Sequence, residues 1–402
     1  MSAALADRQE VVNFGCRLNI AEGEAIRTAA MQAPRRDRIV FNSCAVTDEA
    51  VRQAKQAVRR ALRERPGADV VVTGCAAELE GDTFAAMGAR VVANDAKGLA
   101  QSYGAAAAPA AASYTPALSG ADHARAFLGV QTGCSHSCTF CATVIARGTA
   151  RSATVDAVVG AAQIALDRGQ REIVLTGVDL ASYGDDSGTS LAALVDALLR
   201  LPIERLRLSS LDPNRIDDAL FALLTGEARI MPHVHLSLQA GDDMVLTRMK
   251  RRHRRADAVR LTERLKAARP EITIGADLIA GFPTEDDRMF ANSMALIDDC
   301  DIVFGHIFPY SPRAGTPAAR MPQVGRAIAR GRAARLREAN ANRRAAWLDA
   351  QIGRAASMLV ERDGLTGHAE NFAALTLMAP AEPGSIVPVR LAVRNGDRMM
   401  AA

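Results

Sequence analysis

Aromatic residues are scarce in this chain: 16 of 402, with a single tryptophan. Stacking platforms for bases are therefore few, and a flat ligand must be held more by shape and hydrogen bonds. Lysine is rarer still. Lys55, Lys97, Lys250 and Lys266 leave 45 arginines among 49 basic residues, an imbalance that accompanies an alanine-rich composition. The net charge of +4 permits an acidic partner without requiring one. No run approaches the ~18 uninterrupted apolar residues of a transmembrane helix. The opening MSAALADRQEVVNFG lacks the basic-then-apolar layout of a secretory signal. The expectation is a soluble, cytoplasmic protein with reduced thiols and no membrane partner. Seven cysteines are too few for a disulfide scaffold in a chain this long. With 49% apolar and 23% charged residues, wholesale disorder is excluded as well.

What is present is a regular alternation. EVVNFG, RIVFNS and ADVVVTG read as buried strands, separated by amphipathic stretches such as DEAVRQAKQAVRRALRER with Thr47 or Asp48 as N-cap. This predicts a parallel α/β domain over residues 1–104, with ligands at the carboxyl ends of its strands. AAAAPAAASYTPALSG, residues 105–120, reads as a linker. From 121 to 355 the alternation resumes with about six strand-helix units, which predicts a partial TIM-like barrel. An Arg-rich helix spans 324–350. Residues 356–402 read as a short all-β domain with Gly and Pro turns.

The strongest chemical signal is QTGCSHSCTFC, residues 131–141. Cys134, Cys138 and Cys141, in a loop directly after a predicted strand, place three thiolates around one centre. Three ligands suit an iron–sulfur cluster that keeps one iron free, because a closed cluster takes four. Structural zinc would need a fourth ligand, and His136 is squeezed between two of the cysteines. A colourless, zinc-stabilised RNA-binding protein is the alternative from another class. The second signal is dispersed: Cys16, Cys44 and Cys75 each follow a predicted strand of the first domain. Three parallel strands would bring those turns to one edge and make a second three-thiolate site. Cys300 in IDDCDIVF reads as a core residue.

Taken together, the two sets resemble the radical S-adenosylmethionine (radical-SAM) methylthiotransferase family over nearly the whole chain. The resemblance implies an N-terminal methylthiotransferase domain, a radical-SAM barrel and a TRAM-like β domain that binds RNA. It implies two [4Fe–4S] clusters, with Cys16, Cys44 and Cys75 on an auxiliary one and Cys134, Cys138 and Cys141 on the one that binds S-adenosylmethionine. Such enzymes consume that cofactor twice, once for a methyl group and once for a radical. They also need a reducing electron donor and a source of replacement sulfur, neither of which the sequence identifies. FNSCAVTDEAVRQ, LTGVDLASYG, SPRAGTPAARMP and LVERDGLTGHAENF resemble the branch that acts on N6-threonylcarbamoyladenosine at tRNA position 37. Isopentenyladenosine-37 tRNA or a ribosomal-protein aspartate are the alternative substrates.

The resemblance also proposes cofactor contacts on the loops after the barrel strands: Thr176, Gly177 and Asp179 in LTGVD, Asp212, Gln239 and Asp277. Phe140 is expected to pack on the adenine or to cover the cluster. Arg147 and Arg151 are read as phosphate or carboxylate contacts or as solvated surface. Three departures stand out: ATVIARG after Cys141 where the family has an apolar-Pro-Tyr stretch, Glu78 where it has Gln, and the short C-terminal domain. RMKRRHRR, residues 248–255, and arginines 326, 330, 332, 335, 337, 343 and 344 are the densest positive stretches for tRNA phosphates.

Overall fold

A computed structural model describes residues 8–34, 37–45, 47–106 and 114–402. The first domain has β1 (Gln9–Asn13), α1 (Arg17–Met31), β2 (Arg38–Ser43), α2 (Asp48–Glu64), β3 (Asp69–Gly74), α3 (Cys75–Leu79), α4 (Gly81–Ala86) and β4 (Arg90–Val91). Its strands form one parallel sheet in the order β1-β2-β3-β4. β2 is buried along its whole length, as a strand covered on both faces must be. Helix α2 starts where the Thr47 hydroxyl accepts the Ala50 N–H at 3.1 Å, and Asp48 and Glu49 complement the helix dipole.

The stretch expected as a linker ends in structure. Residues 107–113 lie outside the described residues, but β5 (Ala117–Leu118) pairs antiparallel with β6 (Ala126–Thr132). After α5 (Thr143–Arg147) and β7 (Arg151–Ser152) come α6 (Val155–Asp167), β8 (Glu172–Gly177), α7 (Leu191–Leu198), β9 (Arg205–Leu208) and α8 (Asp218–Gly226). They continue with β10 (His233–Gln239), α9 (Asp243–Arg248), α10 (Arg255–Ala268), β11 (Thr273–Ala280), α11 (Asp287–Asp299) and β12 (Ile302–Pro309). β6-β8-β9 and β10-β11-β12 run parallel, and the Leu211–Leu236 bridge joins the two sets into an open six-stranded barrel. Outward residues of these strands, such as Leu128, Leu175, Leu206, Leu236 and Ile274, form the core beneath the helices.

Helix α12 (Arg326–Asp349) leads to β13 (Ala355–Val360), β14 (Thr366–Ala369), β15 (Ala374–Leu377), β16 (Ile386–Asn395) and β17 (Arg398–Ala401), which close into a small barrel. Two of these strands, β14 and β17, are too short and too polar or Met-rich to stand out in the sequence. This barrel sits against the amino ends of the larger barrel's strands. Arg205 Nη2 donates to Ser357 O at 2.8 Å, Arg207 Nη2 to Ala369 O at 2.8 Å and Thr273 Oγ1 to Asn371 O at 2.8 Å. The opposite, carboxyl ends are left for the cysteine loops. Among the described residues no helix is long and apolar enough to cross a membrane.

Candidate functional site

Cys16, Cys44 and Cys75 stand one to three residues past the ends of β1, β2 and β3, on one edge of the sheet. The register pairs Asn13 with Asn42 and Ser43 with Gly74, so the three turns are adjacent. Two glycines make the approach possible. A Cβ on Gly15 would stand 2.6 Å from Cys44 Sγ, and one on Gly74 would stand 2.3 Å from Ser43 O; both have φ near +90°. Asn19 ties two turns together by donating to Phe14 O at 2.6 Å and Ser43 O at 3.3 Å.

The second trio occupies the loop after β6. Backbone N–H groups of His136 and Thr143 point at Cys134 and Cys141 Sγ, each at 3.4 Å. Burial pushes the Cys134 thiol up to about 12 and raises that of Cys141, so neither ionises without a cation to hold it. None of the seven cysteines is in a disulfide. Cys300 is buried in the core, as expected.

Among the described residues, neither trio brings all three sulfurs within 4.8 Å of one another. A single tetrahedral zinc with ~2.3 Å bonds needs thiolates ~3.8 Å apart. Both trios are more open than one such ion requires, and three thiolates are the donor set that a four-iron cluster with one open iron takes.

Each trio has one buried arginine aimed at a sulfur, and each arginine is neutralised by one carboxylate. Arg251 Nη1 lies 3.6 Å from Cys138 Sγ while its Nη2 donates to Asp212 at 2.7 Å. Arg147 Nε donates to Cys75 Sγ at 3.1 Å while its Nη1 donates to Glu22 at 2.7 Å. Arg147 further reaches Thr132 Oγ1 and Asn19 Oδ1, so its five N–H groups are all used. Burial alone would raise the Glu22 carboxyl, but Arg147 and Lys97 overcome it and hold it at about 2. Lys97 Nζ bonds Glu22 and Asn94 at 2.6 Å each, and the Asn94 amide reaches Cys75 Sγ at 3.9 Å. Glu78 accepts the Asn94 N–H, so its carboxylate sits one residue removed from the sulfur.

These contacts correct part of the sequence reading. Arg147 is 4% exposed at its side chain and serves the domain interface, not solvent; its carboxylate is the protein's own Glu22. Arg151 is exposed. In RMKRRHRR, Arg251 and His253 are buried, which leaves Lys250, Arg252 and Arg254 at the surface. On α12, Arg332 is buried against Glu285 at 2.9 Å, Arg343 pairs with Asp301 and Arg344 lies 3.7 Å from Asp397. Arg335 covers the Phe290 ring and Arg337 donates to Ile307 O, whereas Arg326 and Arg330 are exposed. Carboxylates distant in sequence claim Arg332, Arg343 and Arg344, and Arg326 lies 3.8 Å from Asp48, pairings of which a local charge run carries no sign.

The proposed cofactor contacts fall at different depths. Asp179 follows β8 and lies 3.8 Å from Cys134 Sγ and 3.1 Å from His136 Nε2. Burial would raise its carboxyl, but the His136 and Ser182 hydrogen bonds lower it. Gln131, which sequence reasoning passed over, sets this loop: its Oε1 accepts the Val178 and Asp179 N–H groups at 3.0 Å. Gly177 admits it, since a Cβ there would stand 2.9 Å from Gln131 Oε1. Thr176 is buried beside it on β8. Asp212 caps a 3-10 turn and holds Arg251. Gln239 ends β10 at φ +69°, a left-handed backbone that is uncommon for a residue other than glycine. Phe140 packs edge-on against Phe282, with centroids 6.5 Å apart, in a satellite core next to the cysteine loop.

Asp277 departs from expectation. β11 runs on to Ala280, so Asp277 stands in mid-strand and not at its end. Its neighbours Ala276 and Leu278 join the outer core, so by alternation it faces the barrel interior. There it meets His235 Nε2 at 3.1 Å and His306 Nδ1 at 3.3 Å.

Residues 128–297 match the radical SAM superfamily, and residues 8–93 match an uncharacterized protein family, UPF0004. The threonylcarbamoyladenosine tRNA methylthiotransferase MtaB of Rickettsia prowazekii is 41% identical over 382 residues, covering 91% of this chain and 90% of the relative. The tRNA-2-methylthio-N(6)-dimethylallyladenosine synthase of Ruegeria pomeroyi is 30% identical and covers 97% of each chain. Among solved structures, the radical S-adenosylmethionine methyltransferase TsrM of Kitasatospora setae superposes with a TM-score of 0.57 at 14% identity, covering 77% of this chain and 74% of that one. That likeness concerns the fold alone. The chain belongs to the radical-SAM tRNA methylthiotransferase family, on its threonylcarbamoyladenosine branch.

Proposed function

We propose that the enzyme adds a methylthio group to C2 of N6-threonylcarbamoyladenosine at position 37 of tRNA. The observation that carries this reading is the pair of three-thiolate sites in one molecule, joined across the domain interface by Arg147, which leaves the loop helix after Cys141 and ends on Cys75. An aromatic C–H bond with no acidic proton is beyond general acid–base chemistry. A cluster with one open iron, together with S-adenosylmethionine, supplies the one-electron chemistry it needs.

In this reading Cys134, Cys138 and Cys141 hold the [4Fe–4S] cluster that receives S-adenosylmethionine. Cys16, Cys44 and Cys75 hold a second [4Fe–4S] cluster that delivers sulfur. Asp179, kept ionised beside Cys134, is suited to the cofactor's amino group, and Thr176 and Gly177 shape that wall. Gln239 and Asp212 face the same rim, Phe140 backs it with apolar surface, and Asp277 reaches the interior below. Buried guanidinium groups on Cys75 and Cys138 offset thiolate charge and exclude water from the sulfurs. The closer identity to the MtaB relative than to the dimethylallyladenosine synthase favours the threonylcarbamoyl substrate. Transfer RNA is the macromolecular partner.

Mass spectrometry of tRNA nucleosides from a deletion strain tests the reading. The 2-methylthio derivative of threonylcarbamoyladenosine disappears and returns with the plasmid-borne chain; its persistence, with no second enzyme able to make it, overturns the assignment.

A further inference from the structure

Among the described residues, one group of three potential metal ligands does converge: His235 Nε2, an Asp277 carboxylate oxygen and His306 Nδ1 all lie within 4.8 Å of one another. Strand register builds the group. β10, β11 and β12 are neighbours, with His235 opposite Gly275 and His306 opposite Asp277. Gly275 and Asp277 stand two residues apart on one face of β11, so all three side chains point into the barrel. Glycine is needed at 275, since a Cβ there would stand 2.4 Å from His235 Nδ1. The His235 ring therefore lies over bare backbone and brings its Nε2 to Asp277 Oδ1 at 3.1 Å. His306 Nδ1 approaches the same oxygen at 3.3 Å, and the two imidazole centroids are 4.5 Å apart. His235 is buried and Asp277 is half-buried, whereas His306, on the edge strand of the open barrel, is 59% exposed at its side chain.

Two imidazole nitrogens and one carboxylate are a donor set for borderline first-row ions such as zinc, and not for magnesium, which takes oxygen. Around an ion with bonds of ~2.0–2.1 Å, tetrahedral ligands stand ~3.4 Å apart. The separations of 3.1 and 3.3 Å here are close to that spacing. We propose that His235, Asp277 and His306 form a further metal centre, which holds one divalent first-row transition ion inside the barrel. The centre is separate from both cysteine trios. No thiol belongs to it, and Asp277 stands three residues before the end of β11, about 10 Å below the rim at ~3.3 Å per residue. Three protein ligands leave at least one coordination position open, as sites that exchange a ligand do and closed structural sites do not. Because His306 is the exposed member, that position is accessible, and water or an oxygen of a bound ligand can fill it.

The experiment is anaerobic zinc binding to the reconstituted, EDTA-washed holoenzyme. The wild type is expected to take up one zinc per chain with its iron content unchanged. X-ray absorption at the zinc edge should show nitrogen and oxygen neighbours at ~2.0–2.1 Å and no sulfur at ~2.3 Å. His306→Ala, a change at an exposed side chain, should weaken zinc binding by at least about 10- to 100-fold. Asp277→Asn should do the same, and both variants should keep wild-type iron content and circular dichroism. Sulfur neighbours would place the zinc on cysteine and overturn the proposal. No zinc uptake by the wild type overturns it too. So does uptake that both variants keep, which would leave Asp277 as a plain acceptor for the two histidines. None of these results bears on the methylthio assignment, which the tRNA nucleosides decide.

Discussion

Cys134, Cys138 and Cys141 come from one loop after β6, whereas Cys16, Cys44 and Cys75 come from three turns that only a parallel sheet brings together. The loop trio takes two of its N–H donors from its own backbone neighbours, His136 and Thr143. The strand-end trio takes its firmest contact from another domain, through Arg147 on Cys75. A locally built site depends on one loop keeping its shape. A site assembled from three turns depends on sheet register, on glycines that let the turns approach, and on the packing of the two domains.

Separating the two sites gives the largest expected effect. Cys141→Ala should abolish both S-adenosylmethionine cleavage and methylthiolation, while Cys75→Ala should abolish methylthiolation and spare cleavage. Iron analysis should fall from about eight to about four per chain in each variant if both clusters are of the four-iron type. Loss of both activities in Cys75→Ala with the loop cluster intact would collapse the distinction.

Next comes the ion pair between the domains. Glu22→Gln leaves Arg147 buried beside Cys75 with one carboxylate fewer, and removing one partner of a buried pair costs about 3–5 kcal/mol. A urea titration of the cluster-free chain reads this as a lowered midpoint. The pH dependence has a definite sign. Glu22 sits at about 2, below its ordinary 4.5, so its stabilising contribution is complete above pH 4.5 and fades as pH falls towards 2. Glu22→Gln should flatten that window; an unchanged acid limb would mean that the pair does not hold the domains together.

A smaller effect, confined to the strand-end site, is expected from Gly15→Ala. The new Cβ would collide with Cys44 and hold alanine at positive φ, a strain of about 1–3 kcal/mol. Iron should drop at this site while the loop cluster and cofactor cleavage persist. The smallest effect is expected from Arg252→Gln on the exposed remnant of the basic stretch. Affinity for tRNA should fall modestly and equally for modified and unmodified RNA, with the salt slope reduced by roughly 1. Loss of cofactor cleavage in that variant would place Arg252 in the site instead of on the surface.

Much of the architecture was legible because it rests on local pattern. RIVFNS and HVHLSLQ became strands with the expected limits, and Thr47 caps α2 as its hydroxyl and position suggested. Less legible were short elements without a strong period: β5 inside the expected linker, and β14 and β17 in the C-terminal barrel. Asp277, expected at or just beyond a strand end, lies in mid-strand because β11 continues through Ala280. Arg147 stood open between an anion contact and solvated surface, and Arg251 read as part of a basic stretch. Their partners Glu22 and Asp212 are 125 and 39 residues away, beyond any local window.

The sequence alone determined that six of seven cysteines stand where strands end, three within one loop and three on successive strands. The period of apolar residues dictates strand and helix, and a strand's end dictates a turn. The tertiary structure decided which arginines are buried on sulfur and which are spent on carboxylates. Charge pairing in a folded interior depends on separations in space, and those exist only once the sheet has aligned its turns and the domains have packed.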